Sequence, residues 1–363
     1  MTAFEILYHK YIKDKTSYLD WNQIKFIDDK IVLDHDSLPN ITKNPEQIKN
    51  LAKQVCIIKL NGGLGTSMGC IAPKSLLKVK DDYCFMDIII KQCIDNNIKH
   101  DIKVPLLLMN SFYTHDLTQE YLQKRRIKRV IDSIEIQCFD QHAYPRILKS
   151  NNEPLPNTHK DHLYPPGHGD LFASLQETGL LKELLKRGIK YVFVSNSDNL
   201  GATMDFNILN DIIDSNIDFA LELTDKTLKD VKGGTLIKYS NRYMMFEVAQ
   251  CDPEKISEFT SIEKFKYFNT NNVWINLDSV EKLLNTDYIK DVDLIVNQKK
   301  LKDGRDCVQL EYAIGSMIKF FDHIKCYRVK RDRYIPVKTN QDLETVRSDK
   351  YLLDPHTWKL NLI

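Results

Sequence analysis

The chain has 363 residues, with 51 Lys or Arg against 50 Asp or Glu, so its formal charge is +1. Its length suggests about two domains, and 42% hydrophobic residues suffice for a folded core. Near-neutral charge excludes a generic nucleic-acid or anionic-membrane binder. No run approaches the roughly 20 apolar residues of a spanning helix, and the N-terminus lacks a signal-peptide pattern. Eight cysteines without a CxxC pair predict reduced thiols in a cytoplasmic protein.

The first fifty residues are polar and predict a short helical segment, with helices near 4–12 and 45–54. From residue 55, apolar runs of strand length alternate with amphipathic stretches of helix length. The predicted strands are 55–60, 104–109, 134–139, 191–194 and 219–223. The predicted helices are 85–96, 115–126, 171–187 and 204–215. This alternation predicts an α/β fold, in which helices on both faces cover a doubly wound, mixed but mostly parallel sheet.

The pattern changes after residue 231. Residues 234–239 and 243–249 flank a turn and predict a hairpin. Apolar residues recur at helical spacing over 307–321, which predicts a core-facing helix there. A strand is expected over 325–329, followed by an extended stretch at 334–338. We therefore predict an N-terminal helical segment (1–50), one large domain (51–335) and a short C-terminal extension (336–363).

A glycine-rich loop, LNGGLGTSMG, covers residues 60–69 at the end of the first strong strand. Glycines let the backbone approach a ligand closely and point its N–H groups at an anion. A Walker loop is excluded, because Cys70 follows Gly69 where that motif needs Lys. A dinucleotide fingerprint is disfavoured, because the glycine spacing is one residue too long. A nucleotidyltransferase loop remains, with Lys74 just downstream to meet the phosphates of a nucleoside triphosphate.

The motifs of this chain resemble those of eukaryotic-type UTP–glucose-1-phosphate uridylyltransferases, also called UDP-glucose pyrophosphorylases. Eight segments are similar and occur in the family's order, spanning roughly residues 55 to 345. Besides LNGGLGTSMG…PKS they include QHAYPRI (141–147), YPPGHGDLFASL (164–175), VFVSNSDNLGATMD (192–205), DVKGGTLIKY (230–239), FNTNNVWINL (268–277) and IPVKTNQDL (335–343). The resemblance implies a GT-A-like Rossmann core over 51–335 that transfers UMP from UTP to a sugar 1-phosphate.

The chain departs from the family pattern in two places. Many members have Lys where this chain has Ile71, so Ile71 cannot supply a phosphate contact, whereas Lys74 is retained. Many members also continue into a C-terminal β-helix that mediates oligomerisation, and this sequence lacks that region. We therefore expect a monomer or homodimer rather than the family's octamer.

Asp198 directly follows the strand predicted at 191–194. Ligands of open parallel sheets bind at the carboxyl ends of the strands, and a carboxylate there can hold Mg²⁺ together with phosphate oxygens. From the sequence alone, Asp198 could equally cap a helix or turn. The resemblance favours the Mg²⁺ site.

The resemblance also implies which residues bind the nucleotide. Gln141 would present an amide donor and acceptor to the uracil edge, with help from the backbone of Gly167, while Lys74 would hold the departing diphosphate. The full predicted set is Leu60, Asn61, Gly62, Gly63, Lys74, Gln141, Gly167, Asn196, Ser197 and Asp198.

A second set is implied for the sugar phosphate: His168, Gly234, Glu247, Asn271 and Lys338. Lys338 follows Pro336, which restricts the backbone just before it, and would bind phosphate as a cation. The predicted catalytic residues are Lys338, Lys74 and Asp198. Among Asn269, Asn271 and Asn272 we favour Asn271. A zinc cluster built from His159, Asp161, His162 and His168 is disfavoured by its spacing.

The predicted reaction is UTP + glucose 1-phosphate to UDP-glucose + diphosphate, reversible and Mg²⁺-dependent. One alternative keeps the chemistry but uses N-acetylglucosamine 1-phosphate or several sugar 1-phosphates. Another is a catalytically silent nucleotide-binding protein, which the joint presence of Lys74, Asp198 and Lys338 disfavours. A nicotinamide-dependent dehydrogenase is disfavoured by the glycine spacing. Neither nucleic acid nor a membrane is expected as a partner.

Overall fold

The computed structural model describes residues 1–13, 18–27, 29–65, 68–70, 72–124 and 133–362. Its strands in chain order are β1 (Ile24–Lys25), β2 (Val32–Asp34), β3 (Val55–Leu60), β4 (Lys78–Lys80), β5 (Tyr83–Cys84), β6 (Leu106–Asn110), β7 (Ile136–Asp140), β8 (Tyr144–Pro145), β9 (Ile147–Leu148), β10 (Leu163–Tyr164), β11 (Tyr191–Asn196), β12 (Phe219–Asp225), β13 (Thr235–Tyr239), β14 (Arg242–Phe246), β15 (Tyr267–Asn276), β16 (Ile295–Lys300), β17 (Asp306–Glu311), β18 (Ile324–Arg328), β19 (Tyr351–Leu353) and β20 (Leu360–Leu362).

The α-helices of the described residues are α1 (Ala3–Lys13), α2 (Pro45–Ala52), α3 (Phe85–His100), α4 (His115–Gln123), α5 (Leu171–Glu177), α6 (Leu180–Lys186), α7 (Phe206–Asp214), α8 (Ile256–Phe259), α9 (Leu277–Leu284) and α10 (Asn340–Arg347). Short 3-10 helices at Lys74–Leu76, His168–Asp170 and Ile314–Phe320 carry or support residues of the site described below. Within the described residues, no helix has both the length and the apolar character that a membrane crossing requires.

Eight strands form the central sheet, in the order β2-β18-β12-β15-β11-β3-β6-β7. Seven of these strands run in one direction, and β15 runs antiparallel to its neighbours β11 and β12. The predicted α/β class with a mixed, mostly parallel sheet is therefore confirmed.

Both faces of the sheet are buried, as its nearly continuous apolar strands require. In β3, Cys56 and Ile58 belong to one hydrophobic core, and the alternate residues Val55 and Ile57 belong to the other. Helices α5, α6 and α9 contribute to the first core, whereas α2, α3 and α7 contribute to the second.

Two predicted helices differ from those observed. The helix predicted at 171–187 is broken into α5 and α6 at Gly179, whose positive φ of 77° ends one helix before the next begins. The helix predicted at 115–126 ends at Gln123, and residues 125 and 126 lie outside the described residues.

The prediction of a helix over 307–321 is wrong. Residues 306–311 form β17, which pairs with β16 on one side and β9 on the other, and a 3-10 helix follows at 314–320. Cys307, Val308 and Leu310 are all buried. A strand that is covered on both faces gives a continuous apolar run, which sequence periodicity alone does not distinguish from a buried helix.

The N-terminal fifty residues contain the predicted helices, but they also contribute strands. β2 forms one edge of the central sheet by pairing with β18, and β1 pairs with the predicted hairpin of β13 and β14. The domain boundaries at residues 50 and 335 stay a prediction.

Leu221 and Leu228 provide a matched test of this core. Leu221 in β12 is fully buried, whereas the Leu228 side chain is 79% exposed. We expect Leu221→Ala to lower the free energy of unfolding by about 2–5 kcal/mol through lost burial and a cavity, and Leu228→Ala to change it by about 0.5 kcal/mol or less. Urea unfolding measures both, and equal effects would contradict this placement of β12.

Candidate active site

A pocket of about 370 Å³ opens where β3 and β11 end side by side. Its volume lies in the range typical of small-molecule sites. Nine of the ten residues predicted for nucleotide binding line it, as does His168: they are Leu60, Gly62, Gly63, Lys74, Gln141, Gly167, Asn196, Ser197 and Asp198. The exception is Asn61. The residues predicted for nucleotide binding, apart from Asn61, therefore lie together in the structure.

The glycine loop forms one wall of the pocket and folds back on itself. The N–H of Lys74 donates to the Gly63 carbonyl (3.1 Å), which returns Lys74 to the strand end from which the loop departs. A Cβ at Gly62 would lie 2.0 Å from Nε2 of Gln141, so the Gln141 amide packs directly on the Gly62 backbone. Ile71, predicted to make no phosphate contact, lies outside the described residues.

Gln141, directly after β7, lines the pocket next to Gly62. Its N–H donates to the carbonyl of Asn110 (3.0 Å), which fixes its backbone at the end of β6. Its buried amide oxygen accepts no hydrogen bond from the described part of the chain. An unsatisfied buried acceptor is costly, so this oxygen is suited to accept from a ligand N–H.

Asn61 lies apart from the other predicted nucleotide-binding residues. Its side chain is 1% exposed and donates to Oδ1 of Asn110 (2.7 Å) and Oγ1 of Thr118 (3.0 Å). These bonds tie the end of β3 to β6 and α4. The main-chain N–H of Asn61 also donates to the Met109 carbonyl (2.7 Å), so the role of Asn61 in nucleotide binding stays a prediction.

Lys74 and Asp198 form an ion pair near the ends of β3 and β11. Nζ of Lys74 lies 2.5 Å from Oδ2 of Asp198, and the two side chains are 15% and 16% exposed. The pair joins the glycine loop to the turn after β11. One cation and one carboxylate are thus held together at the pocket wall.

His168 stands on the far side of the pocket and is held neutral. Its Nδ1 accepts a hydrogen bond from the N–H of Ile314 (3.0 Å), so the neutral ring carries its proton on Nε2. Burial lowers the pKa of His168 to about 4. His168 can therefore act as a neutral hydrogen-bond donor near pH 7.

A second histidine, His142, has the opposite electrostatic environment. Its Nδ1 lies 2.9 Å from Oδ2 of the fully buried Asp170, and its Nε2 contacts Glu177. The hydrogen bond with Asp170, aided by Glu177, raises the pKa of His142 to about 9. Asp170 also accepts from the hydroxyl of Tyr312 (2.8 Å). This cluster links the segment carrying Gln141 to the segment carrying His168.

Asn271 lies in a bulge of β15 and contacts a residue of the pocket wall. The register with β12 shifts between Glu222, which faces Asn272, and Leu223, which faces Asn269. Asn271 lies in the bulge with a φ of +60°, a conformation that Asn tolerates better than most residues. Its Nδ2 donates to Oδ1 of Asn196 (2.8 Å) at the pocket wall.

Glu247 and Lys338 lie beyond Asn271. The Glu247 carboxylate packs on Gly234, where a Cβ would lie 2.2 Å from Oε1. Burial raises the pKa of Glu247, while Lys338 and Lys226 act in the opposite direction. The Lys338 ammonium lies 5.7 Å from the centre of the Phe268 ring. Of the residues predicted for the sugar phosphate, His168 lines the pocket itself and Asn271 contacts it through Asn196, whereas Gly234, Glu247 and Lys338 lie near one another.

Three polar or charged residues of the site were not predicted. Gln309 and Glu311 on β17 line the pocket, and the wrong helix prediction at 307–321 concealed that they share one face of a strand. Lys226 is 6% exposed, and its ammonium, which interacts with Glu247, makes no hydrogen bond within the described residues. The position of Lys226 directly after β12 was the sequence feature that could have identified it as a site residue.

Metal-binding capacity at the site rests on Asp198. Among the described residues, no group of three or more His, Cys, Asp or Glu side chains is arranged to hold a metal ion. A single carboxylate at the pocket wall still fits Mg²⁺, which is commonly held by one or two carboxylates while phosphates and water complete its coordination.

Comparisons with known proteins identify the family. A family model described as UTP--glucose-1-phosphate uridylyltransferase matches residues 1–362. The chain belongs to this family. The UTP--glucose-1-phosphate uridylyltransferase of Solanum tuberosum is 44% identical over 355 residues, which are 97% of this chain and 73% of that protein. That of Saccharomyces cerevisiae is 42% identical over 369 residues, 99% of this chain and 72% of its own length.

Solved structures of the family agree with the fold. A UDP-glucose phosphorylase from Trypanosoma brucei superimposes with a TM-score of 0.88 at 33% identity, covering 99% of this chain and 77% of that one. A UDP-glucose pyrophosphorylase mutant from Leishmania major in complex with UDP-glucose gives a TM-score of 0.87 at 32% identity, covering 99% and 78%. The family predicted from the motifs is confirmed, and the chain spans about three quarters of these relatives.

The two histidines of the site should titrate at opposite ends of the pH range. We expect His168 to titrate near pH 4 and His142 near pH 9, as measured by NMR of histidine-labelled protein with His168→Asn and His142→Asn variants for assignment. The lowered pKa of His168 makes its contribution to stability fall as the pH drops from about 6.5 towards 4, and the raised pKa of His142 makes its contribution fall as the pH rises towards 9. Titration of both near pH 6.5 would contradict this geometry.

Proposed function

We propose that the chain transfers the uridylyl group of UTP to glucose 1-phosphate, releasing UDP-glucose and diphosphate, at the pocket between β3 and β11. The observation that carries the proposal is the convergence there of the glycine loop, Gln141, His168 and the Lys74–Asp198 pair in a member of this family. The relative from Leishmania major was solved in complex with UDP-glucose.

The uracil ring would lie against the Gln141 amide, which itself packs on the glycine loop at Gly62. The unpartnered Gln141 oxygen would accept from the uracil N3–H, and its amide would donate to O4. The backbone of Gly167 lies on the same pocket and would supply a fixed second contact. The triphosphate would then run along the glycine loop towards Lys74, as expected for an anion cradle.

Glucose 1-phosphate would occupy the region between His168 and Glu247. Glu247 and Asn271 would accept from sugar hydroxyls, and the buried oxygen of Asn271 has no partner among the described residues. The neutral His168 would donate from Nε2 to the sugar phosphate. Lys338, close enough to Glu247 to affect its pKa, would bring a cation to the incoming phosphate.

The chemistry would need charge neutralisation rather than a base. An oxygen of glucose 1-phosphate attacks the α-phosphorus of UTP, forming one P–O bond as the bond to the departing diphosphate breaks. Because the nucleophile is already an anion, no proton has to be removed. Lys338 would offset repulsion at the reacting phosphates, and Lys74 would hold the diphosphate. One phosphoanhydride replaces another, so the reaction should be reversible.

Mg²⁺ is the proposed cofactor, and Asp198 would hold it. When bound, Mg²⁺ would neutralise charge on the phosphate oxygens of the nucleotide. The ion pair with Lys74 keeps the Asp198 carboxylate at the pocket wall, 2.5 Å from a cation that can turn to the phosphates. We also propose that the core is GT-A-like and that the protein acts in the cytoplasm.

A panel of sugar 1-phosphates tests the proposed activity. Glucose, galactose and N-acetylglucosamine 1-phosphates are each incubated with UTP, with and without Mg²⁺, and diphosphate release and nucleotide-sugar formation are measured. We expect UDP-glucose to form fastest and only with the metal. Faster turnover of N-acetylglucosamine 1-phosphate would assign a different sugar, and absence of any nucleotide sugar would refute the activity.

Lys338→Ala tests the proposed clamping cation. We expect kcat to fall roughly 10²–10³-fold, the usual cost of one preorganised charge contact in the transition state, with a smaller change in UTP binding. Lys330→Ala, which removes a 70% exposed lysine upstream of the same segment, is the matched control and should leave kcat unchanged. Near-normal turnover of Lys338→Ala would remove this residue from the mechanism.

Gln141→Ala tests the uridine pocket. An unpaired buried polar group costs about 1–3 kcal/mol, so the native protein should prefer UTP to CTP by roughly ten- to a hundred-fold. We expect Gln141→Ala to reduce this preference more than it reduces the rate at saturating UTP, whereas the exposed Gln176→Ala should leave it unchanged. Steady-state kinetics with UTP, CTP, ATP and dTTP measure the effect. Full retention of the UTP preference would show that Gln141 does not contact the base.

A further inference from the structure

The segment that carries Lys338 lies directly on the turn that carries Asp198. We call residues 331–338, between β18 and α10, the strap. The N–H of Val337 donates to the Asp198 carbonyl (3.3 Å). A Cβ at Gly201 would lie 2.2 Å from the carbonyl oxygen of Asp332, so the strap touches the turn without an intervening side chain.

Asn199 fastens the strap at its middle. Its Oδ1 accepts from the N–H of Ile335 (2.9 Å), and its Nδ2 donates to the carbonyl of Arg333 (3.1 Å). Asn199 is 1% exposed, so both bonds are shielded from water. The side chain of Asn199 thus replaces a strand partner for the strap.

A buried ion pair between Arg333 and Glu222 holds the strap in place. Nε of Arg333 donates to Oε2 of Glu222 (2.7 Å), and Nη2 donates to Oε1 (2.6 Å). This bidentate geometry fixes the direction of the ion pair as well as its distance. The Arg333 and Glu222 side chains are 12% and 0% exposed. Nη2 of Arg333 also donates to the carbonyl of Thr203 (3.0 Å).

The Glu222 carboxylate is itself fixed by the neighbouring strand β15. It accepts from Nε1 of Trp274 (3.0 Å) and from Nδ2 of Asn272 (3.0 Å). Asn272 follows the bulge that carries Asn271. The same carboxylate therefore ties the strap to the strand that supplies a proposed sugar contact.

The Lys338 ammonium, in contrast, lies over aromatic rings, with the Glu247 carboxylate as a charged neighbour. It lies 5.7 Å from the centre of the Phe268 ring and 5.8 Å from that of the Tyr334 ring. Such contacts are weak and tolerate sideways movement. The position of the ammonium therefore depends on the Lys338 backbone, which is held by the strap and by Asp342 in α10, whose Oδ2 accepts from the Lys338 N–H (2.9 Å).

We propose that Arg333 is a positioning residue for uridylyl transfer: its fork on Glu222, together with Asn199, sets the strap so that Lys338 faces the reacting phosphates beside Asp198. This inference rests on the proposed function. The strap contributes no residue to the walls of the nucleotide pocket. Loss of the anchor should therefore affect the chemical step more than UTP binding.

Arg333→Lys is the first test, because it keeps the charge and removes the fork. We expect kcat for UDP-glucose synthesis to fall about 10- to 100-fold, since displacement of a catalytic group by about 1 Å has that effect, while KM for UTP changes less than about threefold. Arg328→Lys is the matched control, because Arg328 makes a similar bidentate pair with Asp225 at the exposed surface. It should leave kcat unchanged.

A double-mutant cycle distinguishes positioning from general destabilisation. If Arg333 acts through Lys338, Arg333→Lys should lower kcat less than about threefold further when Lys338 is already Ala. Asn199→Ala removes two strap bonds, together with the bonds of Asn199 to Asn272 and Gly201, and keeps both members of the ion pair. It should show the same dependence on Lys338. If Arg333→Lys does not fold, Asn199→Ala decides by the same comparison.

Two results would overturn the inference. One is a wild-type kcat in Arg333→Lys or Asn199→Ala, where thermal melting shows that the variant is folded. The other is a loss of kcat by the same factor whether residue 338 is Lys or Ala. Failure of the proposed function is a separate result, because the unmodified protein would then form no UDP-glucose from UTP and glucose 1-phosphate.

Discussion

The parallel pairing of β3 with β11 is the constraint on which the site depends. Leu60 faces Asn196 at the end of a six-residue register, so the glycine loop and the turn carrying Asp198 leave the sheet side by side. The Lys74–Asp198 ion pair then spans that gap. A slip of one residue would exchange the two faces of β3, whose alternate residues belong to different cores, and would separate Lys74 from Asp198.

The antiparallel strand β15 adds what the parallel strands cannot supply. Its bulge turns Asn271 towards Asn196, and Asn272 and Trp274 fix the buried Glu222 from the same strand. The hydrogen bonds to both oxygens of the buried Glu222 carboxylate and its pairing with Arg333 offset the cost of taking this charge out of water. The bulge and the strap, which are distant in sequence, are thus linked through hydrogen bonds to the same Glu222 carboxylate.

Much of this arrangement follows from local sequence signals. The apolar strands and the glycine loop predicted the sheet and the pocket, because a strand end and the loop after it lie next to each other in both sequence and space. The strand at Gln309 and Glu311 was missed, since its partners β9 and β16 decide its conformation. The Arg333–Glu222 pair was missed as well, because 111 residues separate its members and isolated charges usually indicate surface. The buried side chain of Asn61 depends likewise on the distant Thr118.

The central claim is that one pocket, opening where β3 and β11 end, binds the nucleotide and leads to the sugar site beside Asn271. A crystal structure of the protein with UDP-glucose tests it most directly. The account predicts that the uracil lies against Gln141 and Gly167, the diphosphate runs along the glycine loop past Lys74, and the glucose ring lies between His168 and Glu247. UDP-glucose bound outside this pocket, or bound with uracil and glucose exchanged, would contradict it.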